Sequence, residues 1–186
     1  MDRTNPMTAH AAAWPLDASI ARDPVAFDVV FRQYAPYVGR TLRWLGVSAA
    51  NVEDVCQEVF IVVHRRLHEV DSSGSLRAWV RQICVHAARN ERRRVRRKPE
   101  HHEPPADIPT PAPQHGSVEL REMQARLLAM LEQLTEDQRT VFVLYEIEQL
   151  AMAEVASAVG CPLQTAYSRL HAARARIQAL HAEASR

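Results

Sequence analysis

Long apolar runs are missing from this chain of 186 residues, and only 5 glycines and 3 cysteines are present. No stretch approaches the roughly 20 consecutive apolar residues of a membrane-spanning helix. The N-terminal segment contains Ala11-Ala12-Ala13 but lacks the apolar core of a secretory signal peptide. These two absences predict a cytoplasmic chain without membrane insertion.

The three cysteines, Cys56, Cys84 and Cys161, lie far apart and form no Cys-x-x-Cys pair. A structural zinc site of the usual spacing is therefore not expected. Cys56 and Cys84 fall on or beside apolar stripes, which indicates small core residues. Three histidines between residues 101 and 115 lie in a proline-rich segment, where we expect no metal site. We predict no metal and no other cofactor.

Signatures of catalysis on nucleic acids are also missing. The sequence has no clustered carboxylates with a metal-binding pattern, no glycine-rich phosphate loop and no Ser-x-x-Lys nucleophile. We therefore expect no enzymatic activity. The 23 Lys and Arg residues nearly balance 22 Asp and Glu residues, but the charges are unevenly distributed along the chain. The net charge of +1 consequently says little about binding to nucleic acid.

The sequence contains helical patterns in two groups, which predict an all-α chain with two small domains. We divide it into a disordered segment (1–22), a helical bundle (23–98), a proline-rich flexible linker (99–117) and a second helical domain (118–186). In the first domain, Asp23-Pro24 marks a helix start, and Pro36 is expected to start a further helix that Gly46 ends. The connector from Ser48 to Asn51 is expected to cap the next helix.

That next helix, from Val52 to Leu67, is amphipathic. Its apolar stripe recurs at i, i+3, i+4 and i+7 and consists of Val52, Val55, Cys56, Val59, Phe60, Val63 and Leu67. Such a stripe predicts packing in a bundle. The opposite side carries Asp54, Gln57 and Glu58, with Ile61 among them. An acidic face with one apolar residue suits protein docking, although the spacing alone also fits an ordinary solvated face.

A polar turn precedes a second amphipathic helix that ends in a dense block of arginine. The turn contains Asp71, Ser72, Ser73, Gly74 and Ser75. The predicted buried stripe of the helix contains Leu76, Val80, Ile83 and Ala87. Between Arg77 and Lys98 the only acid is Glu91, and so dense a positive block predicts contact with phosphate backbones. A solvated linker edge is the alternative for this block, and Trp79 fits either a core position or base stacking.

The second domain is predicted to contain a helix-turn-helix. Its first helix has an apolar series at heptad-like spacing, namely Leu120, Met123, Leu127, Leu131 and Leu134. A capping box at Thr135 to Gln138 starts the next helix, which points Val141, Phe142 and Tyr145 inward. A helix from Leu150 ends at Gly160, and Pro162 opens the last helix.

The last helix has one apolar and one polar side. The predicted buried stripe contains Leu163, Ala166, Leu170, Ala173 and Ile177. The outward residues are Gln164, Thr165, Tyr167, Ser168, His171 and Arg174, with Arg169 on the flank. These side chains suit base edges and phosphates in a DNA groove, but the pattern alone also fits a helical hairpin with a polar face.

The first domain resembles conserved region 2 of bacterial RNA polymerase sigma factors. The resemblance lies in Glu53-Asp54-Val55-Cys56-Gln57-Glu58-Val59-Phe60, Leu76-Arg77-Ala78-Trp79-Val80 and the arginine-rich end. The second domain resembles region 4 through Leu134-Thr135-x-x-Gln138-Arg139-x-Val141-Phe142, Glu154-Val155-Ala156, Gly160 and Ser168-Arg169-Leu170. A linker stands where primary sigma factors carry a further domain, which fits the extracytoplasmic-function group of the sigma-70 family.

The resemblance implies a non-catalytic initiation factor that docks on core RNA polymerase and reads two promoter elements. Contact with the clamp helices of the largest polymerase subunit is implied for Asp54, Gln57, Glu58 and Ile61. Contact with the minus-ten element is implied for Asp71, Ser72, Ser73, Gly74, Ser75, Arg77, Trp79, Arg81, Arg89, Arg92 and Arg93. Contact with the minus-thirty-five element is implied for Gln164, Thr165, Tyr167, Ser168, Arg169, His171 and Arg174. The polymerase flap and an anti-sigma factor are further expected partners.

Four positions depart from the family pattern. Ala151 stands where Ser or Thr is usual, so one helix N-cap is expected to be lost. Tyr167 stands in place of a common Lys, while His86 and Asn90 stand where Asn and Asp are usual. The alternative function is a helix-turn-helix regulator that binds duplex operator DNA without polymerase. Such a regulator would not need the acidic face on the helix from Val52.

Overall fold

The computed structural model of the protein describes residues 24–70, 75–97 and 118–184. Over these ranges the chain forms helices and no strand. The α-helices are α1 (Pro24–Trp44), α2 (Val52–Arg66), α3 (Leu76–Arg97), α4 (Val118–Glu132), α5 (Glu136–Phe142), α6 (Met152–Val159) and α7 (Leu163–Ala184). The predicted all-α fold is confirmed, with α1–α3 in the first domain and α4–α7 in the second. The predicted disordered segment and linker lie outside the described residues.

Helix α1 runs without interruption through Pro36, so the prediction that a new helix starts at Pro36 is wrong. Proline inside a helix removes one hydrogen bond and crowds the preceding turn, which costs about 3 kcal/mol. Packing offsets this cost, because Val30, Val38 and Leu42 on both sides of Pro36 are buried in one core with α2 and α3. The proline itself lies on the exposed side.

The connection between α1 and α2 contains one confirmed and one wrong prediction. Gly46 follows α1 with φ +94°, and its N–H donates to the Arg43 carbonyl oxygen at 3.0 Å. Only glycine adopts this left-handed backbone at little cost. Asn51 precedes α2 but does not cap it, because its side-chain amide donates instead to Glu91 Oε1 at 2.6 Å. The local sequence predicted a cap on α2, but the Asn51 side chain instead binds the distant Glu91 carboxylate.

The first core follows the α2 stripe closely, with Val55, Val59, Phe60 and Val63 buried. Helix α3 differs from the prediction, because Ile83 and Ala87 are only half-buried. Its buried residues are Leu76, Val80, Cys84, Val85, Ala88 and Glu91. The difference arises because α3 packs against both α1 and α2, so the buried face is wider and rotated from the predicted stripe.

In the second domain the capping box is present as predicted. The Thr135 hydroxyl accepts the Gln138 N–H at 3.4 Å, and the Gln138 side chain accepts the Thr135 N–H at 3.1 Å. Helix α5 continues into an unpredicted π-helical segment, Val143–Ile147. Gly160 ends α6 in a left-handed conformation, with φ +72°, and forms the expected turn before α7.

Two predicted stripe residues of the second domain are exposed, and two more, Leu127 and Ile177, are only half-buried. The Leu120 side chain lies outside the described residues. Met123 is 66% exposed and Leu163 is 47% exposed. Both lie near the starts of their helices, ahead of the turns that pack against other helices. The buried contacts begin at Leu131 in α4 and at Ala166 in α7. Periodicity therefore identified the correct sides of these helices but overestimated how far the packing extends.

Candidate polymerase and nucleic-acid interfaces

The docking face consists of Asp54, Gln57, Glu58 and Ile61 on α2. All four side chains are exposed, and the Ile61 exposure is 50%. The opposite side of the same helix is anchored in the core, so the face is held by a rigid element. The Glu58 carboxylate lies 3.8 Å from Arg94 Nη1 of α3 in an exposed ion pair. The structure therefore presents an acidic surface around one apolar residue, as the sequence predicts.

Of the predicted minus-ten turn, Ser75 falls within the described residues. Asp71, Ser72, Ser73 and Gly74 lie outside the described residues. Ser75 is exposed, and its hydroxyl accepts the Ala78 N–H at 3.4 Å at the start of α3. This contact satisfies one of the free N–H groups at the helix start. Ser75 thus has a structural role here in addition to its predicted contact with DNA.

The basic face of α3 consists of Arg77, Arg81, Arg89, Arg92 and Arg93. Four of these arginines contact the second domain, whereas Arg93 is exposed. Trp79 is half-buried and packs against the core, so the structure supports its core assignment. The structure therefore brings the basic residues together, but it places four of the five between the two domains.

Glu148, which follows the π-helical segment, lies at the centre of this contact. Its carboxylate accepts a hydrogen bond from the Tyr37 hydroxyl at 2.9 Å. Arg77 Nη2 lies 3.4 Å from the same carboxylate and Arg81 Nη1 lies 3.7 Å from it. The Glu148 side chain is only 2% exposed. Burial and the neighbouring Glu148 carboxylate raise the pKa of Tyr37 above its ordinary value, so the phenol keeps its proton to a higher pH than a solvent-exposed tyrosine does.

Arg89 and Arg92 of the basic face extend the domain contact along α3. Arg89 donates to the Val159 carbonyl oxygen of α6 at 3.1 Å. Arg92 donates to the Leu45 carbonyl oxygen at 2.6 Å and forms an ion pair with Glu136 at 3.3 Å. Burial lowers the pKa of Arg92 to about 10, which still leaves it charged at neutral pH.

A second contact joins the turn after α1 to α5. A methyl group on Gly46 would overlap the Arg139 guanidinium, so the absence of a side chain permits this approach. Arg139 is buried, and its Nε donates to the Leu131 carbonyl oxygen at 2.6 Å. Sequence reasoning explained Gly46 by the helix end alone and assigned no partner to Arg139. Neither residue carries a local signal for the contact.

Sequence reasoning also missed the role of Glu91. This residue is 4% exposed and accepts the Asn51 amide at 2.6 Å. Its other carboxylate oxygen lies 2.7 Å from Arg94 Nε. The sequence offered one signal for this role, since Glu91 is the only acid between Arg77 and Lys98. An acid among so many arginines is expected to pair with one of them.

The recognition face of α7 consists of Gln164, Thr165, Tyr167, Ser168, Arg169, His171 and Arg174. Five of these residues are exposed, whereas Thr165 and Arg169 are half-exposed. Arg169 forms an ion pair with Asp137, and Arg174 forms one with Glu146 at 2.6 Å. The Ser168 hydroxyl donates to the Gln164 carbonyl oxygen at 3.0 Å. The face is arranged as predicted and remains accessible, but its two arginines already pair with acids of their own domain.

The Ala151 position shows how the second domain tolerates a missing cap. Ala151 makes no side-chain cap, as predicted, yet its N–H donates to Glu154 Oε2 at 3.0 Å. Half of a capping box therefore remains. Among the described residues no group of three or more potential metal ligands occurs. Nor does any helix in those ranges have the length and apolar character needed to cross a membrane.

Comparison with known proteins relates both domains to one family. Residues 30–98 match the family description Sigma-70 region 2, and residues 124–177 match Sigma-70, region 4. The extracytoplasmic-function sigma factor RpoE of Cereibacter sphaeroides is 32% identical over 165 residues, covering 84% of this chain and 87% of the relative. The sigma-E factor of Escherichia coli is 29% identical over 165 residues, covering 82% and 84%.

Two solved structures share the fold. CnrH in complex with the cytosolic domain of CnrY has a TM-score of 0.62 at 22% identity, covering 90% of this chain and 97% of CnrH. RpoE of Bartonella quintana in complex with the anti-sigma factor NepR has a TM-score of 0.65 at 22% identity, covering 83% and 95%. Together with the sequence matches to both regions, these findings establish that the chain belongs to the extracytoplasmic-function sigma factors of the sigma-70 family.

Proposed function

We propose that this protein directs RNA polymerase to promoters through three helices, each of which binds a different partner. The docking face of α2 binds core polymerase, the basic face of α3 with the turn before it binds the minus-ten element, and the recognition face of α7 binds the minus-thirty-five element. Sigma factors are transcription initiation factors, and the family assignment carries this general function. The assignment of each face to a partner is our proposal.

The observation that most supports polymerase binding is the docking face itself. Ile61 is 50% exposed at the centre of a charged surface, on a helix whose other side is buried. A rigid surface with one apolar side chain and flanking acids suits a basic protein partner. A helix-turn-helix regulator that acts without polymerase would need no such face, so this observation favours the sigma factor over that alternative.

The experiment replaces Asp54→Arg and Glu58→Arg together and measures retention of core RNA polymerase in a pull-down. We expect a strong loss of binding with an unchanged circular dichroism spectrum, because both side chains are exposed. The matched control replaces Glu122→Arg and Glu183→Arg, two exposed acids elsewhere on the surface. Unchanged retention by the first variant would show that α2 is not the docking helix.

An anti-sigma factor is the proposed regulator. The solved relatives include a sigma factor in complex with an anti-sigma factor and one in complex with a cytosolic domain. We propose the same class of partner for this chain, and we place its site of action in the cytoplasm together with RNA polymerase. Purified core polymerase with and without this protein, on a mapped promoter, tests the whole proposal through specific transcript formation.

A further inference from the structure

Two exposed apolar side chains lie at the start of α7 and form what we call the apolar ridge. They are Leu163, which is 47% exposed, and Tyr167, which is 49% exposed. Because they are four residues apart in one helix, their side chains lie one turn apart on the same side. A single exposed apolar side chain is common on a protein surface. A pair at helical spacing, directly after the turn of a helix-turn-helix, instead indicates a contact surface.

The charges around the apolar ridge favour an anionic partner. The first turn of α7 contains no acid, and the first acid of the helix is Glu183, near its other end. Arg169 and Arg174 lie further along the same helix. The start of a helix also carries a partial positive charge. A DNA duplex can therefore approach the ridge without meeting a negative side chain of α7.

Polar groups close to the ridge are engaged in contacts within the protein. The Ser168 hydroxyl donates to the Gln164 carbonyl oxygen at 3.0 Å, and Arg169 pairs with Asp137. Hydrogen bonding of these groups to DNA requires exchange of an existing contact, whereas an apolar contact from the ridge requires none. The apolar feature that a base pair presents in the major groove is the C5 methyl group of thymine. In a helix-turn-helix, the first residues of the second helix are those that contact base edges.

We propose that Leu163 and Tyr167 recognise the C5 methyl groups of thymines in the minus-thirty-five element. The inference rests on the proposed function, because it requires α7 to be the recognition helix. Four residues of helix advance about 6 Å along its axis, and stacked base pairs lie about 3.4 Å apart. The two thymines therefore lie about two base-pair steps apart. A lysine, which is common at position 167 in the resembling family, would present a charge to the groove in place of the aromatic ring.

The test uses holoenzyme reconstituted from the full-length protein and core RNA polymerase, on a promoter mapped by the 5′ ends of its transcripts. Each thymine of the upstream element is replaced in turn by deoxyuridine, which lacks only the C5 methyl group. Fluorescence anisotropy measures the dissociation constant of each duplex. The readout is the ratio of the deoxyuridine constant to the thymine constant at each position. A variant that merely folds or docks poorly raises both constants equally and leaves this ratio unchanged.

We expect deoxyuridine to raise the dissociation constant about three- to fivefold at two thymines, which is the effect of removing one methyl group from an apolar contact. Tyr167→Ala should bring the ratio to one at the first of these thymines, and Leu163→Ala should do so at the second. Tyr167→Phe should keep the ratio, because the ring remains. The control, Met123→Ala, removes an exposed apolar side chain on α4 and should change neither ratio.

A second arm replaces each discriminating thymine by cytosine and then by 5-methylcytosine, both paired with guanine. The modified base returns a methyl group to the same position in the groove, so it should bind about three- to fivefold more tightly than cytosine. No gain from 5-methylcytosine, or equal constants for thymine and deoxyuridine at every position, would overturn the inference. Ratios unaltered by Tyr167→Ala and Leu163→Ala would also overturn it. A ratio lost in Tyr167→Phe would assign the contact to the hydroxyl and contradict apolar recognition.

Failure of the proposed function is distinguishable from failure of the inference. It appears as the absence of specific transcripts on the thymine-containing template, before any base is replaced, and it overturns both. Specific transcripts with no discrimination between thymine and deoxyuridine overturn the inference alone.

Discussion

The two DNA-facing helices carry paired arginines, but the pairs differ in which domain supplies the partner. On α3, Arg77 and Arg81 pair with Glu148 of the other domain. On α7, Arg169 and Arg174 pair with Asp137 and Glu146 of their own domain. Domain separation would therefore break the pairs on α3 and leave those on α7 intact.

This difference shows that the availability of arginine for DNA is controlled differently on α3 and on α7. Access to the basic face depends on the position of a whole domain, whereas each arginine on the recognition face must exchange an acid in its own domain for DNA. The ion pairs on α7 are partly exposed, with side-chain exposures of 49% for Arg174 and 31% for Glu146. Pairs of this kind contribute little to stability, so their exchange costs little.

The largest effect is expected from a comparison of two left-handed glycines. Gly46→Ala and Gly160→Ala should each cost about 1–2 kcal/mol of stability, because an L-residue is strained in that conformation. Gly46→Ala should cost a further 1–3 kcal/mol or so, because its methyl group displaces Arg139, whereas the space around Gly160 is open. Urea unfolding measures both losses. Equal losses would show that the approach of Arg139 to Gly46 does not contribute to the folded state.

Tyr37→Phe should open the domain contact while leaving each domain folded. It removes one hydrogen bond to a charged group, worth about 1.5–3 kcal/mol, and keeps the ring on Arg77. The measurement is the radius of gyration, with Tyr34→Phe as the matched control on the same helix. A radius that stays at the wild-type value would contradict the role of the hydroxyl.

The pH dependence of the contact follows from the direction of the Tyr37 shift. The raised pKa means that the protonated phenol is stabilised in the closed state. Its contribution is therefore fully present below the ordinary tyrosine value of about 10 and is lost as the pH rises towards the higher closed-state pKa. Closure of the wild-type protein should be constant from pH 6 to about pH 9 and weaken above pH 10, a dependence that Tyr37→Phe reduces.

Arg169→Ala and Arg174→Ala should reduce binding to a mapped upstream promoter element without changing closure. Loss of a contact to a base edge costs about 1–3 kcal/mol at one base pair, whereas loss of a phosphate contact lowers affinity evenly and flattens the salt dependence. Electrophoretic or anisotropy titrations at several salt concentrations distinguish the two. Arg126→Ala, in an exposed pair on α4, is the control. If both variants bind as the wild type does, α7 is not the recognition helix.

The smallest effect is expected at the incomplete cap of α6. Ala151→Ser should stabilise the second domain by about 1 kcal/mol, because the hydroxyl adds the missing half of the capping box. Thr135→Ala at the complete cap of α5 should lose a similar amount. Urea unfolding measures both, and the domain contact should stay closed in each. A destabilised Ala151→Ser variant would mean that its hydroxyl cannot reach the free N–H groups.

The helices that the sequence predicted well are those whose stripes pack within one domain. Val55, Val59 and Val63 of α2 are buried as their spacing indicates, and the Thr135 capping box forms as its local pattern indicates. One prediction failed at Pro36, because tertiary packing keeps α1 continuous through the proline. Another failed at Leu163, which is exposed because the packing of α7 begins after this residue. The polar faces of α2 and α7 were identified because a buried stripe leaves the opposite side outward.

The sequence by itself determined the all-α fold, the apolar stripes of the helices in both domains, the turn at Gly160 and the clustering of arginine in α3. These features depend on residues within a few positions of one another, where helical periodicity and backbone preference act. Only the tertiary structure decided that Glu148 enters the arginine cluster and that Arg139 lies against Gly46. Residues 37 and 148 are 111 positions apart, and no local preference specifies the partner of a charge at that separation.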